Sequence, residues 1–122
     1  MKTGGFVDLL GTSDALEVSQ RAKAGDEAAR RAWDGMVYQI CKEIGAMAAA
    51  LGGRVDGILL GGGMVHNKGL VAAIGERCGW IAPVTAYPGE FELEAMAAGA
   101  RRVLDGAERP RRYSGRPVFE GF

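Results

Sequence analysis

Apolar residues recur at steps of three or four along Ala29, Trp33, Met36, Ile40, Ile44, Met47 and Leu51. That period predicts an amphipathic helix, and Asp26 in front of it is a ready N-cap. The opposite face carries Arg30, Arg31, Asp34, Lys42 and Glu43. From Ile44 to Leu51 no charge remains, and a helix apolar all round is one buried all round. Gly52-Gly53 ends it, as glycine commonly does, so this longest helix spans 26–52. Upstream, Thr12, Ser13 and Asp14 offer caps, and Asp14 with Glu17 has capping-box spacing. Ala15, Val18 and Ala22 then mark one face of a shorter helix, 13–25. The stretch 4–10 is apolar around Asp8 and fits a strand or a short helix equally well.

Downstream the period changes. Val55 and Ile58-Leu59-Leu60, with Gly57 between, make a short apolar run that suits a buried parallel strand. Gly61, Gly62 and Gly63 follow it. Leu70, Val71, Ile74 and Cys78 then share a helical face, and a second apolar strand runs from Trp80 to Tyr87. Strand, helix, strand over 54–88 is a βαβ unit, which predicts parallel pairing with a right-handed crossover. Pro88-Gly89 turns the chain, and Glu90, Phe91 and Glu92 open a last helix, 90–105. Leu93, Met96, Ala97, Ala100 and Leu104 would be its buried face, and Gly106 closes it before an Arg- and Pro-rich tail, 106–122. The fold class expected is α/β, with long helices packed on a small parallel sheet.

The glycine triplet is the candidate for chemistry. Three missing Cβ atoms let a ligand approach the backbone, and free N–H groups at the next helix start would face the same space. A tight turn that holds nothing explains a glycine triplet equally well. Two sharper motifs are excluded. A phosphate-cradling P-loop needs Gly-Lys-Ser/Thr entering the helix, and here Asn67-Lys68-Gly69 stands instead. A dinucleotide fingerprint fails because His66 follows Gly63 three positions on. His66 is the only histidine. As a general base it lacks a carboxylate close in sequence to orient it, which leaves a helix-start role or a ligand contact. Glu90 and Glu92 sit where carboxylates favour the helix dipole.

Composition narrows the class. The 122 residues suffice for one domain, and 48% hydrophobic with 25% charged is ordinary for a globular protein. Formal net charge is zero, so neither nucleic acid nor an anionic membrane is an expected partner. The tail arginines, interleaved by Tyr113 alone, read as a solvated charge run. Cys41 and Cys78 lack CxxC spacing, which argues against zinc; buried free thiols in a reducing cytoplasm are the simplest reading. The amino terminus has no apolar signal-peptide core, and no apolar run reaches membrane-spanning length.

Longer stretches carry a resemblance. Met36-Val37-Tyr38-Gln39-Ile40-Cys41-Lys42-Glu43-Ile44-Gly45-Ala46-Met47-Ala48, followed by Val55-Asp56-Gly57-Ile58-Leu59-Leu60-Gly61-Gly62-Gly63, closely resembles the butyrate kinases. So do Leu10-Gly11-Thr12-Ser13-Asp14 upstream, Tyr87-Pro88-Gly89-Glu90 with Glu94-Ala95-Met96-Ala97 downstream, and the tail Pro117-Val118-Phe119-Glu120-Gly121-Phe122. These kinases belong with the acetate kinases. The resemblance implies a partial ribonuclease-H-like, actin-like ATPase domain. It implies ATP-dependent phosphorylation of a short-chain carboxylate, butyrate to butyryl phosphate, or the reverse.

In that group a glycine-rich turn of the second domain holds the adenosine of ATP or ADP. The matching residues are Gly61, Gly62 and Gly63, with Met64, His66 and Asn67 lining the helix start. A glutamate near the start of the last helix helps hold magnesium in acetate kinases; Glu92 is the better match. Family members are much longer, and the phosphate loop, the catalytic acid and the carboxylate-reading arginine lie upstream of the matched region. The chain thus looks like a carboxyl-terminal portion that pairs with a missing amino-terminal half or with another copy. Alone it is expected to be inactive. The competing expectation is a non-catalytic interaction or dimerisation module derived from such a kinase.

Overall fold

A computed structural model describes residues 4–89 and 91–116. It divides into two compact units, Met1–Gly89 and Glu90–Phe122. Among the described residues, no helix is long and apolar enough to cross a membrane.

The first unit begins with α1, Phe6–Leu10, which resolves the ambiguous stretch as helix. Next is α2, Ala15–Lys23, capped by Asp14, whose carboxylate accepts the Leu16 and Glu17 N–H groups. Glu17 does not return a capping-box bond: its carboxylate accepts from the Thr12 hydroxyl (2.8 Å), and the Asp14 N–H donates to Thr12 Oγ1 (3.2 Å). The longest helix, α3, spans Glu27–Ala50, with the Asp26 side chain accepting the Ala29 N–H. Its end is a Schellman motif. Gly53 N–H reaches the Ala48 carbonyl and Gly52 N–H the Ala49 carbonyl, each at 2.9 Å.

The sheet is β1, Ile58–Gly62, and β2, Val84–Pro88, paired in parallel with Ile58 opposite Val84 and Gly62 opposite Pro88. A 3-10 turn, Gly63–His66, and α4, Lys68–Cys78, connect them. The second strand therefore starts later than the apolar run from Trp80 suggests. Pro83 has no N–H to give a ladder; its carbonyl accepts the Ile58 N–H (2.8 Å) just before β2 begins. Trp80 lies in the turn before it and is exposed.

Alternation along the strands sets the layers. Ile58 and Leu60 with Val84 and Ala86 face the helices, and the core joins Ile58 to Val37 of α3 and to Leu70, Ile74 and Cys78 of α4. On the other face Leu59 is 70% and Tyr87 58% exposed. The sheet is thus covered on one side within this unit, where a doubly covered strand was expected. The apolar end of α3 departs from expectation likewise. Met47 and Leu51 are 59% and 55% exposed, because no element of the unit reaches over them.

The second unit is α5, Glu92–Leu104, and a tail. Its one ion pair among the described residues is Arg102 Nε to Glu108 Oε2 at 2.9 Å, largely exposed and so worth about 0–1 kcal/mol. The expected apolar face of Leu93, Met96 and Leu104 has no partner element inside this unit. Glu90 and residues 117–122 lie outside the described residues.

The corner between α2 and α3 is held by charge. Arg21 donates from Nε and Nη2 to Asp26 Oδ2 (3.0 and 2.8 Å) and reaches the Leu10 carbonyl with Nη1 (3.4 Å). The Ala29 N–H on Oδ1 (3.0 Å), then Arg21, holds the Asp26 carboxyl below the usual carboxylate range. A folded-state pKa below the unfolded value stabilises the fold at higher pH, and that contribution disappears as pH falls through the lowered pKa. Asp26→Asn should therefore melt lower than the parent near neutrality and lose less stability on acidification. Thermal melts across the acidic range would show this; equal acid sensitivity of the two proteins would remove Asp26 from the account.

Candidate nucleotide site

The glycine stretch is built differently from a simple three-residue turn. Gly61 and Gly62 lie inside β1, paired with Tyr87 and Pro88, and Gly62 bridges to Gly89 as well. Only Gly63 belongs to the turn that follows. Pairing persists to the end of β1 because β2 continues to Pro88 alongside it.

The two strand glycines have different reasons. Gly62 has φ 91° and ψ 175°, a region that is essentially glycine's alone and costs another residue about 1–3 kcal/mol. Gly61 has no such constraint, and a Cβ there would meet no atom within 4 Å. Among the described residues no contact requires glycine at that position.

Beyond them, Val65 is buried and pins the 3-10 turn to the unit, while Met64 and His66 are exposed on either side of it. Asn67 ends the turn and caps α4. Its Oδ1 accepts the Leu70 N–H (3.1 Å), which fixes the amide orientation, and its Nδ2 then donates to Ser19 Oγ (3.0 Å). One of the helix-start donors expected to face a ligand is therefore already taken by the chain's own side chain.

Ser19 is the residue that sequence reasoning missed. It lies 48 positions from Asn67 and is 5% exposed on α2. Its only signal in the sequence is a hydroxyl beside Val18, next to the apolar face of that helix. Tyr87, opposite Gly61 in the sheet, was read as strand and as the start of a family-like stretch, without a site role, and stands on the bare face.

The structure thus brings Gly61, Gly62, Gly63, Met64, His66 and Asn67 together at the carboxyl end of β1. Parallel sheets commonly bind ligands at that edge. No Asp, Glu, Lys or Arg occurs from 61 to 67, and Lys68 opens α4 directly after them. Glu92 opens α5 in the other unit, with Glu94 also in the first turn. It makes no ion pair among the described residues.

A second feature lies on the helix-covered side of the first unit. An open apolar groove of about 600 Å³ runs between the carboxyl half of α3, from Ile40 to Leu51, and Val55, Ile58, Leu60 and Ile81.

Residues 1–77 match the acetokinase family. The chain belongs to that family. Acetokinases have the actin-like ATPase fold, of which the parallel β1–β2 pair with its packed helices is a part. The chain is 51% identical over 110 residues to probable butyrate kinase 2 of Caldanaerobacter subterraneus subsp. tengcongensis. The match takes in 90% of this chain and 31% of that relative, so the acetokinase chain described here spans about a third of the relative's length.

Within this acetokinase chain the turn depends on the Asn67 clamp. Asn67→Ala removes a cap worth about 0.5–2 kcal/mol and leaves the buried Ser19 hydroxyl without its partner, at about 1–3 kcal/mol. Asn67→Asp keeps the acceptor for Leu70 and can accept from Ser19. Urea unfolding should rank the alanine variant well below the parent and the aspartate variant close to it; equal losses would mean that neither the cap nor the Ser19 contact contributes.

Proposed function

We propose that this chain is the adenosine-binding, carboxyl-terminal portion of a short-chain carboxylate kinase. The complete enzyme would convert ATP and butyrate to ADP and butyryl phosphate, or run in reverse. Membership of the acetokinase family and the identity to a probable butyrate kinase support this reading. The observation that carries it is Gly61, a glycine at the carboxyl edge of a parallel sheet that no dihedral of its own and no contact among the described residues demands.

In this reading Gly61, Gly62 and Gly63 let the adenosine lie against the backbone. Met64 offers an apolar, adaptable surface beside it, and His66 a polar edge. Asn67 acts through position: its side chain is committed to Leu70 and Ser19 and holds the turn in place. Magnesium, when bound with ATP, would neutralise charge on the phosphates. Glu92 is the residue of this chain proposed to help hold it, and one carboxylate suffices where the ion keeps several waters. No catalytic residue is assigned within the chain. The rest of the enzyme, an amino-terminal half, would supply the carboxylate site and the cover for the bare sheet face and the groove.

The two glycines separate ligand from fold. Gly61→Ala should keep the parent's stability to within about 1 kcal/mol while weakening ADP binding about tenfold or more, equivalent to about 1.4 kcal/mol. Gly62→Ala should lose about 1–3 kcal/mol of stability. Calorimetric titration with ADP, ATP and NAD, beside urea unfolding, checks both; ADP affinity unchanged in Gly61→Ala would sink the assignment.

Positioning both reactants is most of phosphoryl-transfer catalysis, so purified 1–122 with butyrate, ATP and magnesium should show no turnover. Co-expression with the amino-terminal half of a related kinase should restore it, and Glu92→Gln should then weaken Mg-ATP binding. Turnover by the isolated chain, or an indifferent Glu92→Gln, contradicts the corresponding part of the proposal.

The groove supports a second reading, a non-catalytic dimerisation module. A chain that sediments as a stable dimer and gives no heat with ADP or ATP would favour it.

A further inference from the structure

The two cysteines share one core cluster, although 36 residues separate them in the sequence. Cys41 lies on α3 one helical turn beyond the buried Val37, and Cys78 is the last residue of α4. The two helices pack together here, with Cys78 inside the central core and Cys41 packed against it. Cys41 is the neighbouring side chain that, after burial, most perturbs the Cys78 thiol. Exposure is unequal: Cys78 is 2% exposed, and Cys41 is half-buried.

We propose that Cys41 and Cys78 are an oxidation site, at which a two-electron oxidant of the peroxide class closes an intramolecular disulfide between α3 and α4. The order of events follows from access. Hydrogen peroxide reaches Cys41, whose thiolate sulfur takes one peroxide oxygen to give S–OH, and the second oxygen leaves as water once protonated. The Cys78 sulfur then attacks the Cys41 sulfur, the S–O bond breaks, and the hydroxyl leaves as water with the Cys78 proton. Two thiols and one peroxide give one disulfide and two waters. Each sulfur is oxidised by one electron, and the peroxide is reduced by two.

Burial, then the contact with Cys41, pushes the Cys78 thiol up to about 11, while Arg77 pulls the other way. Cys78 is therefore protonated at neutral pH and out of reach, and it reacts only through its neighbour. The closed ring would contain β1, the glycine-bearing turn and nearly all of α4. Such a staple restricts the unfolded chain, so the oxidised protein melts higher. This site does not depend on the nucleotide reading, and its test uses no nucleotide.

The reduced full chain is treated with graded hydrogen peroxide and analysed by thiol titration, intact mass and non-reducing tryptic mapping. The expected result is loss of both thiols together, a mass lower by two hydrogens, and a joined pair of peptides, 32–42 with 78–101. Dithiothreitol should reverse all three, and the oxidised chain should remain monomeric on a non-reducing gel. In Cys41→Ser the Cys78 thiol should stay unreacted until the protein is unfolded. In Cys78→Ser a Cys41 sulfenic acid should be trapped by dimedone. Addition of oxygen to Cys41 alone in the parent, cross-linking only between chains, or a Cys78 that reacts as fast in Cys41→Ser as in the parent would each overturn the proposal.

Discussion

Parallel pairing of two short strands governs this molecule. Parallel strands need a crossover, and α4 provides it on the face that α3 already occupies. Ile58 shares one core cluster with buried residues of both helices. Burying a side chain such as Ile58, Leu70 or Ile74 contributes about 1.5–3 kcal/mol, and nearly all of that burial lies on one side of the sheet. Natural parallel sheets are covered on both faces. The first unit therefore holds a core sufficient to order β1 and β2 and leaves one sheet face and one helix end unfinished.

The same pairing fixes the candidate site. β2 keeps Gly61 and Gly62 in the ladder, so the backbone at the ligand edge is held by the sheet and not left to a loop. Buried Val65 and the Asn67–Ser19 bond then anchor the turn from below and from the side. Helix α2 has no residue in the proposed adenosine contact, yet it sets the position of that contact through one hydroxyl. Arg21 and Asp26 in turn fix where α2 leaves α3. The turn is a firm shelf carried by three elements.

Much of this was legible in local pattern, and the failures share a cause. The span of α3 was written in its capping aspartate, its period and its paired glycines, all local signals. The βαβ unit was legible in its change of period. Pro83 trimmed the second strand because a missing N–H outweighs an apolar run that reads as strand. The end of α3 was misjudged because composition shows a surface made for burial without showing what buries it. Ser19 and Asn67 went unlinked, and so did Cys41 and Cys78, because each pair is created by packing between helices far apart in sequence. At the site, the glycines were visible as a group, but their separate roles needed the dihedral at Gly62 and the open space at Gly61.

The bare sheet face has a consequence for the chain as a colloid. Leu59 and Tyr87 present apolar surface next to two strand edges that are unpaired among the described residues, the arrangement most apt to recruit further strands. Formal net charge is zero at neutral pH, so no long-range repulsion keeps copies apart while those surfaces find each other. Solubility is consequently at its poorest near neutrality and recovers on either side as net charge grows. Salt, which elsewhere would screen repulsion and promote clumping, has little repulsion to screen here. The handling of the isolated chain is thus set by what it leaves uncovered more than by how well its core is packed.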